Sequence, residues 1–173
     1  MTDAPLCPVA VTEVATPPLS TIRLRRPSKE DIERIGVLIG TRLPLEPNRA
    51  TDGAVRAIWI GLNEWLIVGD TAPAEVIEGA AQDAAAALCV SVADGRCMFE
   101  VTGQNAADLM AKGTSLDVHA ALGLTGTSAM TLFAQGNVII DRPPGLDGYR
   151  LTFDVSIRNY LRHWFADAVV EFG

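Results

Sequence analysis

The chain has 173 residues, with 14 Lys plus Arg against 21 Asp plus Glu and a formal charge of −7. That charge argues against nucleic-acid and anionic-membrane partners, and 49% hydrophobic with 20% charged residues argues against disorder. A chain of this length buries roughly 70% of its unfolded surface, so it needs neither disulfides nor a structural metal to fold.

Its apolar runs fall short of the ~18 residues that cross a bilayer. Asp3 stands where a signal peptide carries a basic residue, and Pro5 and Pro8 interrupt the start, so a cytoplasmic protein is expected. Arg23, Arg25 and Arg26, and Arg158 with Arg162, read as solvated basic clusters. Cys7, Cys89 and Cys97 form no CxxC pair, which removes the usual zinc and redox signatures.

Residues 1–20, with Pro5, Pro8, Pro17 and Pro18, read as a flexible tail whose Val9, Val11, Val14 and Leu19 suit a strap on a partner. A strand over Thr21–Arg26 follows, with Ile22 and Leu24 on one face. Ser28 and Asp31, three residues apart, are close to a capping box. They open a helix that buries Ile32, Ile35 and Leu38/Ile39 and ends at Gly40. Pro44 and Pro47 prevent further helix.

Ala54–Ile60 and Glu64–Val68 are predicted strands, and Trp65 to Val68 is apolar on both faces, the mark of a central strand. A helix starts at Pro73 and carries Val76, Ile77, Ala80, Ala84 and Leu88 on one face. Asp94-Gly95 is a two-residue hairpin signal. As the turn, it pairs Val92 with Cys97 and sets Cys89 opposite Glu100, so that the two thiols point to opposite faces.

From Cys97 the chain reads as strand, turn at Thr102-Gly103, and helix with Ala106, Leu109 and Met110 at helical spacing. It leaves through Lys112-Gly113 into the loop Thr114–His119. Strands at about Ser128–Ala134, Asn137–Asp141 and Tyr149–Val155 follow, the last with Tyr149, Leu151, Phe153 and Val155 inward and Arg150, Thr152 and Asp154 outward. Ser156 caps a final amphipathic helix bearing Ile157, Tyr160, Leu161, Trp164, Phe165 and Ala168. The expected fold is α+β: residues 21–173 form a single αβ domain of two half-units, about 21–94 and 95–173, sharing an antiparallel-rich sheet with helices packed on it.

Chemistry is sparse in this pattern. Gly103 stands without the clustered glycines of a P-loop or a dinucleotide turn. His163 lies beside Arg162 on the polar side of the last helix, and His119 follows Asp117, which can orient it. Loop capping or an interface contact suits that pair better than catalysis. Two histidines and scattered thiols make no transition-metal site. Glu30, Asp31 and Glu33 favour the dipole of a helix start, and Trp59, Trp65 and Trp164 occupy core positions. The residues by themselves describe an α+β protein without a self-sufficient active site.

Five segments in order carry a resemblance: Pro47-Asn48-Arg49-Ala50, Trp59 to Ile67, Phe99 to Gly103, Ala106 to Gly113, and Ser115-Leu116-Asp117-Val118-His119. Together they resemble the gamma subunit family of heterotetrameric sarcosine oxidase, although Thr114 stands where that family often has cysteine. The resemblance implies the fold of the folate-binding domain found in the glycine-cleavage aminomethyltransferase. It also implies a non-catalytic subunit of an enzyme that oxidatively demethylates sarcosine to glycine, releasing hydrogen peroxide and passing a one-carbon unit to tetrahydrofolate. Partners are then the alpha, beta and delta subunits, with FAD, FMN, NAD, tetrahydrofolate and zinc expected in them and no cofactor in this chain. Arg49, Lys112, Asp117 and His119 lie in the family-like segments and are the interface candidates.

The alternatives are an equivalent subunit of an N-methyl-amino-acid dehydrogenase and a free-standing folate-binding or one-carbon transfer protein. The latter needs an acid for the pterin ring, with Glu64, Asp94 and Asp117 as candidates. The iron–sulfur-assembly relative of the fold has cysteine straight after Lys-Gly, where this chain has Thr114.

Overall fold

The computed structural model describes residues 9–173; Cys7 and the first eight positions of the expected tail lie outside them. Residues 16–95 make one unit, and residues 96–173 with the described segment up to Ala15 make the other. Within the stretch expected to be a tail, Ala10–Val14 forms strand β1. Its backbone pairs antiparallel with Met98–Thr102, and that ladder holds the segment despite the prolines on either side.

In the unit of residues 16–95, the chain runs β2 (Leu19–Arg25), α1 (Lys29–Leu38), β3 (Ala50–Asp52), β4 (Arg56–Gly61), β5 (Glu64–Val68), α2 (Ala74–Ala80) and β6 (Ala86–Ser91). The strands form an antiparallel sheet in the order β3-β4-β5-β2-β6. Interior strand β5 buries Trp65, Leu66 and Ile67, as its two-sided apolar sequence requires. The capping box is present: the Asp31 amide donates to Ser28 Oγ at 3.0 Å and the Ser28 amide to Asp31 Oδ2 at 3.0 Å.

Two expectations fail here. Helix α2 stops at Ala80, and the alanine-rich stretch after it becomes the edge strand β6, leaving Leu88 exposed. The open edge of β2 supplies a ladder for residues 86–91, a long-range gain that outweighs local helix propensity. The Asp94-Gly95 hairpin is absent. Ala93–Gly95 is a 3₁₀ turn, and the strands on its two sides enter different sheets. Cys89 and Cys97 therefore belong to different units, each buried and free.

The other unit adds β7 (Arg96–Thr102), α3 (Ala106–Gly113), α4 (Val118–Leu122), β8 (Ser128–Phe133), β9 (Gly136–Asp141), β10 (Gly148–Asp154) and α5 (Arg158–Ala168). Its antiparallel sheet has the order β1-β7-β10-β9-β8. The α+β class and the antiparallel pairing hold, but the ten strands among the described residues divide into two five-stranded sheets in place of one shared sheet. One face of the β7 sheet supplies Phe99, Val101, Ile140 and Leu151 to a core that Leu109 and Met110 of α3 and Leu161 and Phe165 of α5 complete.

On that core, Phe99 meets Phe153 edge-on at 4.9 Å between centroids, and Phe133 meets Trp164 edge-on at 4.9 Å. Glu13 of β1 reaches Arg158 and Arg162 of α5, each at 2.6 Å, and these bonds hold its carboxyl below the usual range. Thr152 is buried although it points away from this core, and Val155 is exposed. The start of α5 also differs. Asp154, not Ser156, supplies the side-chain cap, accepting from the Ser156 amide at 2.9 Å across a 3₁₀ turn, and α5 proper begins at Arg158.

The β8–β9 hairpin turns at Ala134-Gln135, one residue earlier than the sequence suggests, with φ of 46° and 70°. Gly136 is the first residue of β9, paired with Phe133, and a Cβ there would approach Ile157 Cδ1 to 2.6 Å. Two positive φ values match a type I′ turn, which favours Asn-Gly, and Ala in the left-handed region is strained. Replacing Ala134-Gln135 by Asn-Gly should raise stability by about 1 kcal/mol, read by urea unfolding. No gain would mean that the turn relaxes elsewhere.

Candidate functional site

Among the described residues no group of three or more His, Cys, Asp and Glu is placed to hold a metal, and no helix is long and apolar enough to cross a membrane. Burial pushes both the Cys89 and Cys97 thiols up, so neither is a ready nucleophile. The four interface candidates divide between units: Arg49 lies in residues 16–95, and Lys112, Asp117 and His119 lie in the other unit.

Lys112, at the end of α3, is tied to the C-terminal residues. Its Nζ lies 2.6 Å from Glu171 Oε1 and 5.6 Å from the centre of the Phe172 ring. Asp117 caps α4, accepting from the Ala120 amide at 3.0 Å. The segment expected to be loop as far as His119 thus becomes helix from Val118. His119 consequently turns from Asp117 toward Asp108, with Nε2 3.9 Å from Oδ1, and both side chains stay largely exposed. A solvated pair of this kind contributes little to stability. Thr114 accepts from the Leu116 amide at 3.2 Å and shapes the turn between α3 and α4.

The three pterin candidates do not come together. Glu64 pairs with Arg23 at 3.2 Å, while Asp94 and Asp117 are exposed on a turn and a helix cap. Trp65 is buried and donates from Nε1 to the Pro44 carbonyl at 2.7 Å; Trp164 packs on Phe133 and Phe165.

A concave feature lies within residues 16–95: a groove of about 1090 Å³ between α1 and the loop over residues 40–51. Arg49 stands on its rim, 3.5 Å from Glu46. The loop is fixed from below. Thr41 Oγ1 donates to the Val55 carbonyl at 2.7 Å and accepts from the Val55 amide at 3.1 Å. The Trp65–Pro44 bond anchors its middle, and Thr51 Oγ1 bonds the Arg42 carbonyl. Gly40, at φ 67°, ends α1 in the left-handed conformation that its missing Cβ permits. Sequence reading missed this groove. Its signal was Val37 and Leu45, two large apolar residues that no periodic core face absorbs.

Among solved structures, a chain of the heterotetrameric sarcosine oxidase from Corynebacterium sp. U-96, in complex with pyrrole 2-carboxylate, superposes at a TM-score of 0.82. It is 21% identical, and the alignment covers 95% of this chain and 85% of that one. The glycine cleavage system aminomethyltransferase T from Bartonella henselae superposes at a TM-score of 0.61 with 13% identity, covering 91% of this chain and 45% of that one. At such identities the likeness carries the fold, and it is the α+β fold expected from the sequence. No curated protein matches the sequence. The family model described as "Sarcosine oxidase, gamma subunit family" matches residues 34–171, from the middle of α1 to the C-terminal turn, and the chain therefore belongs to the sarcosine oxidase gamma subunit family.

Proposed function

We propose that this protein is the non-catalytic gamma subunit of a cytoplasmic heterotetrameric sarcosine oxidase. The observation that carries the reading is the family match over residues 34–171. In this reading the alpha, beta and delta subunits hold FAD, FMN, NAD, tetrahydrofolate and zinc. Together the four chains convert sarcosine to glycine, with hydrogen peroxide released and a one-carbon unit passed to tetrahydrofolate. Buried thiols, a solvated His119–Asp108 pair and an Asp117 committed to a helix cap support a supporting role for this chain.

The test is co-expression with candidate flavoprotein partners, followed by size-exclusion chromatography with flavin absorbance recorded. The expected result is comigration of this chain with a yellow, sarcosine-oxidising complex. A colourless species that stays apart from every partner would overturn the reading. Asp117→Ala with His119→Ala then tests the α4 region: unchanged co-purification removes those two residues from the interface.

A further inference from the structure

We infer that the groove between α1 and residues 40–51 is a docking site for an apolar segment of a partner subunit flanked by acidic side chains. The inference rests on the subunit reading above and names the chemistry that this face recognises.

The first observation is where the apolar surface lies. Lys29, Ile32, Glu33, Gly36, Val37 and Gly40 line the groove. Their spacing places them on a face of α1 beside the one that buries Ile35 and Ile39 in the core, with Ile32 at the border packing against that core. Val37 is 83% exposed, and Leu45 across the groove is 64% exposed. Gly36 is buried beneath the chain's own backbone at Thr41–Leu43, and its missing Cβ lets that loop lie close on the helix and form the floor of the groove. Exposed apolar side chains also occur on the edge strands β6 and β8 and singly at Leu62, Leu124 and Val170, outside the lining of the groove. Val37 and Leu45 line one concave space together.

The second observation is charge. In a chain of net charge −7, the groove collects Lys29, Arg42 and Arg49 against Glu33 and Glu46. Arg49 and Glu46 satisfy one another. Among the described residues, the exposed Lys29 and Arg42 side chains make no ion pair or hydrogen bond. Lys29 opens α1 and Arg42 lies in the returning loop beside Gly36, with the exposed Glu33, also without an ion pair among the described residues, on the helix between them. A docked segment with carboxylates at both ends and aliphatic side chains between them satisfies both cations and covers Val37 and Leu45. A basic segment would leave these cations unmatched and face like charge.

The third observation is that the walls are already fixed. The Thr41–Val55 and Trp65–Pro44 bonds hold the loop, and the capping box holds the start of α1. Docking therefore orders little of this chain, and more of the contact energy remains as affinity.

The experiment uses the co-expressed complex. Val37→Asp with Leu45→Asp changes two exposed side chains and should leave the melting of the free chain unchanged while weakening its incorporation at least ~30-fold, the effect of a lost central anchor. Lys29→Glu with Arg42→Glu should weaken it about tenfold at low salt, with the difference shrinking as salt screens the pairing. If the unaltered chain joins the complex and both double variants join equally well, the docking inference is overturned and the subunit reading stands. If the charge variant binds as the parent does at low salt, the acidic character of the occupant is overturned. If the unaltered chain joins no complex, the subunit reading falls and takes this inference with it. Should the free chain be a dimer that Val37→Asp with Leu45→Asp makes monomeric, the occupant is a second copy, and the partner-subunit assignment is overturned.

Discussion

Gly113→Ala is expected to destabilise the protein by about 2 kcal/mol and lower its melting temperature by about 5 °C, against the helix-propensity trend. Gly113 is the last residue of α3, where alanine should by itself gain up to about 1 kcal/mol. The obstacle is Phe133. A Cβ on Gly113 would fall inside the edge of that ring, with Cε1 only 2.7 Å away. The ring is fully buried and has nowhere to go, since it stacks on Phe165 at 5.3 Å and meets Trp164 at 4.9 Å. The Gly113 carbonyl also accepts from the Ala134 amide at 2.7 Å, fixing the separation between α3 and the β8–β9 turn. Phe133→Leu should therefore partly rescue Gly113→Ala, and the double variant should lose less than the two single losses combined. An alanine variant that melts at or above the parent would mean that Phe133 is free to shift.

Lys112-Gly113 marks the exit from a helix in the sequence as in the structure, and the helix, its Ala106, Leu109 and Met110 face, and the strand before it are all legible there. So were the capping box at Ser28 and Asp31 and the buried strand at Trp65 to Ile67. These features are written in residues within one or two turns of each other. The errors share the opposite property. The alanines after Ala80 favour helix locally, but β2 takes residues 86–91 as a strand. Asp94-Gly95 favours a hairpin, but each flanking strand has longer-range ladders that no local signal reports. β1 looked like a tail because its partners are Met98–Thr102 and, through Glu13, Arg158 and Arg162. The same limit hid the groove, whose wall depends on Thr41 meeting Val55 and Trp65 meeting Pro44. Arg49, in a family-like segment, stands at that rim, and Lys112, in another, pairs with Glu171.

Asp31→Asn is expected to cost about 3 kcal/mol at neutral pH, because Asp31 is a fully buried carboxylate serving three donors. The Ser28 amide donates to it at 3.0 Å, the Asp83 amide at 3.2 Å and Arg34 Nη2 at 2.6 Å. Arg34 also bonds the Ala80 carbonyl at 3.0 Å and Asp83 Oδ2 at 3.0 Å, so this one carboxylate ties the start of α1 to the end of α2. Burial works to raise its pKa, but the amides of Ser28 and Asp83 and the Arg34 guanidinium outweigh it and hold the carboxyl below its ordinary value. A depressed pKa fixes the sign. The stabilisation is fully present above the unfolded value of about 3.9 and is lost as pH falls through the lower folded value. Urea unfolding at neutral pH and across this acid range should show the parent losing stability steeply, and the asparagine variant losing less. Some slope should remain in the variant, since Glu13 and Asp154 are also held low. Equal slopes for parent and variant would show that Asp31 is not the buried anion argued here. Because Lys29, Ile32 and Glu33 flank Asp31 on the helix that walls the groove, the acid loss should also loosen the docking face. Incorporation into the complex should then fall over the same pH range for the parent.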